Sequence, residues 1–199
     1  MRKQRIAIFI SGRGSNMEAI LKQAQNGILK DVCEVALVFS NKPQARGLEV
    51  ARSFGVPTAV IPSKGKSREA FEKEVIRLLE PYHIDYVVLA GFMRILSPVF
   101  VRAYKNRIIN IHPADTRQFK GVGGYEWAFE NKLPETKITV HFVDEGVDTG
   151  PIIAQQTVDL RGATTLEEVE QRGLKVEHEF YAQALRKVFS GEFNFKNQE

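Results

Sequence analysis

Short apolar runs alternate with amphipathic stretches along most of this chain, and this rhythm constrains the fold more than any other feature. The runs are rich in β-branched residues and bounded by turn residues, which is typical of strands buried on both faces. The first five runs span 5–10, 34–39, 57–61, 86–89 and 107–111. Strands that alternate with helices predict an α/β fold with a mostly parallel central sheet and helices on both faces.

The amphipathic stretches predict the helices of this fold. Between Ser67 and Tyr82, apolar side chains recur on one helical face, and Ser67 is the predicted N-cap. Further helices are predicted directly after the first strand, over 125–131, and in a long segment from Leu166 to Val188. Two more strands are predicted at 138–143 and 152–158, whereas the polar, glycine-containing segment 114–124 predicts a mobile loop.

Length and composition exclude several classes of protein. A chain of 199 residues fits one sizeable core, so a single domain over 1–199 is predicted. Apolar runs fall short of the roughly 18 residues that a membrane helix needs. The net charge of +4 comes from basic residues interspersed with acids, which favours small anionic ligands over nucleic acid. The single cysteine, Cys33, excludes an intrachain disulfide and suits a buried position in a cytoplasmic protein. A monomer or homodimer is expected.

A glycine-containing segment, Ser11-Gly12-Arg13-Gly14-Ser15-Asn16, links the first strand to the first helix. Glycines allow a sharp turn, and free N–H groups at a helix start attract anions. The third glycine of a dinucleotide fingerprint is replaced by Met17, and the Gly-Lys-Ser of a P-loop is absent. The segment therefore predicts a site for a phosphate group, but the ligand that carries this phosphate is expected to be neither NAD nor ATP. The alternative is that the segment is a purely structural turn capped by Ser15.

Asn110 and His112 lie at the end of the fifth strand, where open α/β sheets bind their ligands. Alternation places both side chains on one side of the strand, where an amide and an imidazole can stabilise an oxyanion and transfer a proton. Asp148, in the turn 144–150, is predicted to reach His112 and to raise its pKa above the ordinary value of about 6.5. A histidine held by the backbone and a solvated acidic turn are the structural alternatives.

A metal site is the other chemistry that these residues suggest. His112, His141, Asp144 and Asp148 include common metal ligands, but their spacing matches no familiar metal-binding pattern. The sequence therefore predicts no metal.

Taken together, these residues resemble the folate-dependent formyltransferases along nearly the whole chain. The most specific stretches are 11–16, 88–98, 110–113 and 139–151, which occur in the family's order. The resemblance implies a Rossmann-like formyltransferase fold. It also implies 10-formyltetrahydrofolate as the co-substrate and a small phosphorylated amine, foremost the glycinamide ribonucleotide of purine synthesis, as the acceptor.

The resemblance further implies a role for individual residues. The catalytic group would comprise Asn110, His112 and Asp148. The residues expected to bind the acceptor are Gly14, Ser15, Asn16, Pro113 and Glu177. The residues expected to bind the folate are Arg68, Met93, Arg94, Ile95, Leu96, Asn110 and Val143.

The chain departs from the family pattern around the acceptor. Segment 114–117 reads Ala-Asp-Thr-Arg where the family usually has Ser-Leu-Leu-Pro, Gly123 replaces a common histidine, and Leu174 replaces a polar residue. Other functions therefore stay open. They are formylation of a different amine such as an amino sugar nucleotide, hydrolysis of formyl-folate, and folate binding without catalysis.

Overall fold

The computed structural model of the chain describes residues 2–195, and a seven-stranded sheet runs through its centre. The strands are β1 (Gln4–Ile10), β2 (Cys33–Ser40), β3 (Thr58–Val60), β4 (Tyr86–Leu89), β5 (Ile108–His112), β6 (Glu135–Phe142) and β7 (Ile152–Asp159). Their order is β3-β2-β1-β4-β5-β6-β7. Strands β1 to β5 pair in parallel, while β6 and β7 are antiparallel to their neighbours.

Six α-helices, counted over residues 2–195, cover this sheet. They are α1 (Ser15–Asn26), α2 (Gly47–Ser53), α3 (Arg68–Leu79), α4 (Pro98–Ala103), α5 (Gly124–Glu130) and α6 (Leu166–Phe189). A short 3₁₀ turn, Glu80–Tyr82, follows α3. The predicted α/β fold is confirmed. The short helices α2 and α4, of seven and six residues, were not predicted.

Side chains that alternate along β1 show how both faces of the sheet are buried. Ile6, Ile8 and Ile10 belong to one apolar core, which α1, α2, α5 and α6 cover. Ala7 and Phe9 belong to a second core, which α3 and α4 cover. Because successive strand side chains point to opposite faces, a strand covered on both sides reads as one continuous apolar run.

The sequence indicated side-chain caps at the starts of two helices, α3 and, as the structural alternative, α1. The side chain of Ser67 accepts a hydrogen bond from the backbone N–H of Ala70 at 3.2 Å, so the predicted N-cap of α3 is confirmed. Ser15 does not cap α1. The N-cap is Gly14 in a left-handed conformation (φ 71°), and it makes no side-chain capping bond. The N–H groups at the start of α1 therefore lack a side-chain cap.

Helix α6 is the longest described element, with 24 residues. Its apolar side chains form a stripe toward the sheet and alternate with charged ones, as in a surface helix. Within residues 2–195, the model contains no helix with the length and apolar character that crossing a membrane requires.

The buried carboxylate of Glu72 ties α3 to the start of α4. It accepts hydrogen bonds from the backbone N–H groups of Ser97 and Phe100 and from the Ser97 hydroxyl, at 2.7–3.1 Å. The Glu72 residue is 1% exposed. A carboxylate at a helix N-terminus stabilises the otherwise unpaired N–H groups there. Glu72 thereby fixes the end of the segment that follows β4.

We expect Glu72→Ala to lower the free energy of unfolding by about 3 kcal/mol, because it leaves several buried donors without an acceptor. Urea denaturation measures the change. Glu74→Ala is the matched control on the same helix, since Glu74 is exposed and forms a surface ion pair with Lys66. Its loss should stay below about 1 kcal/mol. Equal losses in the two variants would contradict the proposed anchoring.

Candidate active site

Three segments that follow neighbouring parallel strands meet at the carboxyl edge of the sheet. The glycine segment follows β1, residues 90–97 follow β4, and Pro113 follows β5. The first two are joined directly. The Ser11 N–H donates to the Gly91 carbonyl at 3.1 Å, and the Met93 N–H donates to the Ser11 hydroxyl at 2.8 Å. Two hydrogen bonds therefore join the predicted phosphate segment to part of the predicted folate wall, at the carboxyl edge of the sheet.

The imidazole of His112 is buried and contacts a polar group through each ring nitrogen. Its Nε2 lies 3.0 Å from the Phe119 carbonyl oxygen, and its Nδ1 lies 3.4 Å from Oδ2 of Asp148. A carbonyl only accepts hydrogen bonds, so Nε2 carries a hydrogen. In the neutral imidazole, Nδ1 would then present a lone pair to the carboxylate.

Asp148 reaches His112 from a distant part of the chain. Because β6 runs antiparallel to β5, the end of β6 lies beside the start of β5, and the following turn folds back toward His112. Asp148 has a left-handed backbone conformation with φ 52°, and its Oδ2 accepts a hydrogen bond from the Gly121 N–H at 2.7 Å. Such conformations are uncommon outside glycine and concentrate at functional sites.

A second histidine, His141, contacts the other carboxylate oxygen. Its Nε2 lies 3.5 Å from Oδ1 of Asp148, and its Nδ1 lies 2.9 Å from the Phe142 carbonyl oxygen. His141 is the pairing partner of Asn110 across β5 and β6. Side chains opposite each other in an antiparallel pair share a sheet face. Asn110, His112 and His141 therefore lie on the same face, with Asp148 between the two imidazoles.

The proton count of this cluster follows from its hydrogen bonds. Each imidazole directs one N–H toward a backbone carbonyl, so each neutral ring would face Asp148 with a lone pair. The contact of Asp148 with His112 becomes attractive when the His112 imidazole takes up a proton. The arrangement is thus suited to hold an additional proton beside a carboxylate.

Burial and charge have opposite effects on His112. Burial lowers the pKa of His112 below its ordinary value, and the attraction of Asp148 offsets only part of this effect. The prediction of a raised pKa was therefore wrong, because the sequence did not reveal how deeply the ring is buried. Burial also acts to raise the pKa of Asp148, but the contact with His141, the hydrogen bond from the Gly121 N–H and the nearby His112 together lower that pKa. Asp148 is therefore ionised at neutral pH.

The glycine segment places its residues in different environments. Ser15 is exposed, whereas Asn16 is buried and its Nδ2 donates to Oε1 of Glu177 at 3.1 Å. A Cβ at Gly14 would lie 3.2 Å from the backbone of Gly47, and φ at Gly14 is positive, so glycine is required there. The segment therefore combines a tight turn, uncapped N–H groups and a buried amide that leads to Glu177.

Glu177, one of the residues predicted to bind the acceptor, makes a contact that the sequence did not indicate. Oε2 of buried Glu177 accepts a hydrogen bond from the hydroxyl of Tyr125, near the start of α5. Tyr125 was predicted only as a helical residue. Pro113 lies close to this helix, since a Cβ at Gly124 would come within 2.6 Å of the Pro113 carbonyl oxygen.

The predicted folate residues line a more open part of the edge. Met93 and Ile95 are 70% and 61% exposed, whereas Leu96 and Val143 pack against the same buried core. The Arg94 guanidinium lies 5.1 Å from the centre of the Phe71 ring. Exposed Arg68 precedes Phe71 by three residues on α3, and residues at this spacing are neighbours on a helix surface. The two arginines thus flank one end of the apolar wall.

Sequence reasoning considered His141 only as a possible metal ligand and Tyr125 only as a helical residue. The positions of both in the site depend on contacts between distant elements. Over residues 2–195, the structure contains no group of three or more histidine, cysteine, aspartate or glutamate side chains arranged to hold a metal ion. Cys33 is buried, and this burial raises the pKa of its thiol to about 12, so the thiol is unreactive.

Comparison with known proteins identifies relatives along the whole described fold. The Formyl transferase family matches residues 4–185. The phosphoribosylglycinamide formyltransferase of Bacillus subtilis (strain 168) is 38% identical over 186 residues, which cover 93% of this chain and 94% of that protein. The trifunctional purine biosynthetic protein adenosine-3 of Drosophila melanogaster is 40% identical over 191 residues. This alignment covers 96% of this chain but spans only 14% of the fly protein.

A solved structure agrees with the same assignment. The crystal structure of phosphoribosylglycinamide formyltransferase from Bacillus halodurans superposes with a TM-score of 0.89 at 41% identity. The match covers 98% of this chain and 100% of that chain. This chain belongs to the formyl transferase family.

Proposed function

We propose that this chain transfers the formyl group of 10-formyltetrahydrofolate to the amine of glycinamide ribonucleotide. The observation that carries the proposal is the Asp148 carboxylate between His112 and His141, on the sheet face that bears Asn110. Relatives of nearly the same length are named phosphoribosylglycinamide formyltransferases, which supports the choice of acceptor.

The side chains of this face supply the groups that formyl transfer needs. Attack of the neutral amine on the formyl carbon forms a C–N bond and moves the carbonyl electron pair onto oxygen. The Asn110 amide and the Nε2–H of protonated His112, once it leaves the Phe119 carbonyl, would donate hydrogen bonds to this oxyanion, while ionised Asp148 at Nδ1 stabilises the imidazolium. A water ordered by Asp148 carries the amine proton to the folate nitrogen as the original C–N bond breaks and the carbonyl reforms.

The flanking segments supply binding. The uncapped N–H groups near Gly14, Ser15 and Asn16 would bind the phosphate, with Glu177 and Pro113 on the way to the amine. Residues 93–96, with Val143 and Arg68, would form the folate side, where two arginines suit the carboxylates of the folate tail. Asn110 lies between the two sides and would contact both substrates.

The proposal extends to domain organisation and location. We propose one formyltransferase domain over residues 1–199 in the cytoplasm, where purine synthesis would supply the acceptor. The single sheet of the described residues and the family match over 4–185 support one domain. Residue 1 and residues 196–199 lie outside the described part of the chain.

A different phosphorylated amine is the second candidate acceptor. It is favoured by segment 114–117, where Asp115 and Arg117 form a two-point ion pair at 2.9–3.0 Å that also contacts Gln155. This network differs from the apolar sequence usual in the family. A panel of phosphorylated amines, each tested with 10-formyltetrahydrofolate, separates the candidates by kcat/KM.

We expect the wild-type protein to formylate glycinamide ribonucleotide and His112→Ala to lower kcat by at least about 100-fold, because a donor to the oxyanion is lost. An absorbance assay for tetrahydrofolate formation measures both. His83→Asn is the control. It lies after the 3₁₀ turn before β4, and asparagine tolerates its left-handed conformation. Undiminished turnover by His112→Ala would refute the mechanism.

The pH dependence of kcat is expected to change in Asp148→Asn. The active form carries a proton on His112, so activity falls as pH rises through the His112 pKa. Asp148 raises this pKa against the effect of burial, and its replacement by a neutral amide should shift the alkaline limb to lower pH. Asp144→Asn, in the same turn but bonded to Gly146 and Thr149, should leave the limb in place. Identical limbs in both variants would exclude the proposed role of Asp148.

A further inference from the structure

Three buried polar side chains from three helices meet outside the catalytic cluster. Glu177 of α6 accepts hydrogen bonds from Asn16 at the start of α1 and from Tyr125 at the start of α5. Their exposed fractions are 6% for Glu177 and 9% for each of the other two. A carboxylate removed from water in this way depends on its donors for stability. The two donors therefore determine how Glu177 is oriented.

Tyr125 fits its place because α6 has a glycine beneath the ring. A Cβ at Gly173 would lie 2.2–2.3 Å from the ring carbons and hydroxyl of Tyr125. Gly173 precedes Glu177 by one helical turn, so both lie on the same face of α6. The missing side chain at 173 therefore gives the ring room to lie against the helix and to direct its hydroxyl at the carboxylate.

The cluster still has unused capacity to accept hydrogen bonds. Each of its donors occupies a different oxygen of Glu177, and a carboxylate has about four acceptor positions. Oδ1 of Asn16 is buried and has no hydrogen-bond partner among the described residues. Buried acceptors without partners are rare in proteins, so this amide oxygen points to a donor that is supplied by a ligand. Hydroxyl groups and amines are such donors.

We propose that Tyr125, seated on Gly173, is a positioning residue that holds Glu177 toward the sugar hydroxyls of the phosphorylated acceptor. The inference rests on the proposed function and adds a residue that determines acceptor selectivity. Tyr125 does not contact the reacting carbon in this scheme. It acts through Glu177, while Asn16 links Glu177 to the glycine segment beneath the phosphate.

The position of the cluster indicates that Tyr125 does more than pack against α6. Asn16 is the last residue of the glycine segment, so the network begins where the phosphate would bind. Tyr125 follows Gly123 and Gly124, within the region where the chain departs from the family pattern. If position 125 served packing alone, an apolar side chain could fill the space above Gly173, and the buried Glu177 carboxylate one turn away would not be needed.

Tyr125→Phe tests the proposal, because it removes the hydroxyl and keeps the ring. We expect the KM for glycinamide ribonucleotide to rise about 10- to 100-fold, as for loss of a hydrogen bond to a charged group. The KM for 10-formyltetrahydrofolate should not change. Tyr181→Phe is the matched control, since buried Tyr181 donates to the carbonyl oxygens of Leu89 and Ile109. It should lower the melting temperature without a selective effect on the acceptor KM.

A binding measurement separates this inference from the proposed function. Calorimetry with ribose 5-phosphate examines the sugar hydroxyls and phosphate without any formyl transfer. Weaker binding by Tyr125→Phe than by the wild type supports the inference even when glycinamide ribonucleotide is not a substrate. Equal binding by the two proteins, or no binding by the wild type, overturns it. Equal changes in the KM values of both substrates would also overturn it.

Discussion

The antiparallel pairing of β5 with β6 is the constraint on which the site depends. It sets His141 opposite Asn110 and turns the chain back so that Asp148 contacts both His112 and His141. Because β6 is antiparallel, its end lies beside the start of β5, and the segment after it folds back toward the end of β5, where His112 lies. The change from parallel to antiparallel pairing thus coincides with the site.

Within the cluster, burial and charge compete. Burial lowers the pKa of His112, while Asp148 counteracts the effect. The backbone carbonyls of Phe119 and Phe142 fix which nitrogen of each imidazole faces the carboxylate. The result is a histidine that is mainly neutral in the free protein at neutral pH. It can gain a proton when an oxyanion develops beside it, because a nearby negative charge favours the imidazolium.

The two sides of the site differ in physical character. The side proposed to bind the acceptor contains buried, hydrogen-bonded polar groups centred on Glu177, which suits a small ligand with many polar atoms. The side proposed to bind the folate presents exposed Met93 and Ile95 next to Arg94, which suits a larger ligand with an apolar ring system and an anionic tail. Glu72 anchors the end of this second side to α3, so the open wall has a rigid base.

From the amino-acid pattern alone, the class of fold could be predicted correctly, and the glycine segment and the end of the fifth strand could be named as candidate site segments. Continuous apolar runs indicate strands that are buried on both faces, and glycines indicate turns that other residues disfavour. Both signals can be recognised from a few neighbouring residues, without knowledge of the tertiary contacts. The short helices α2 and α4, the direction of β6, the approach of His141 to Asp148, and the contact of Tyr125 with Glu177 were decided by the tertiary structure. The lowered pKa of His112 belongs with them. These features depend on which distant residues come into contact and on how much water they exclude, and no local pattern encodes either.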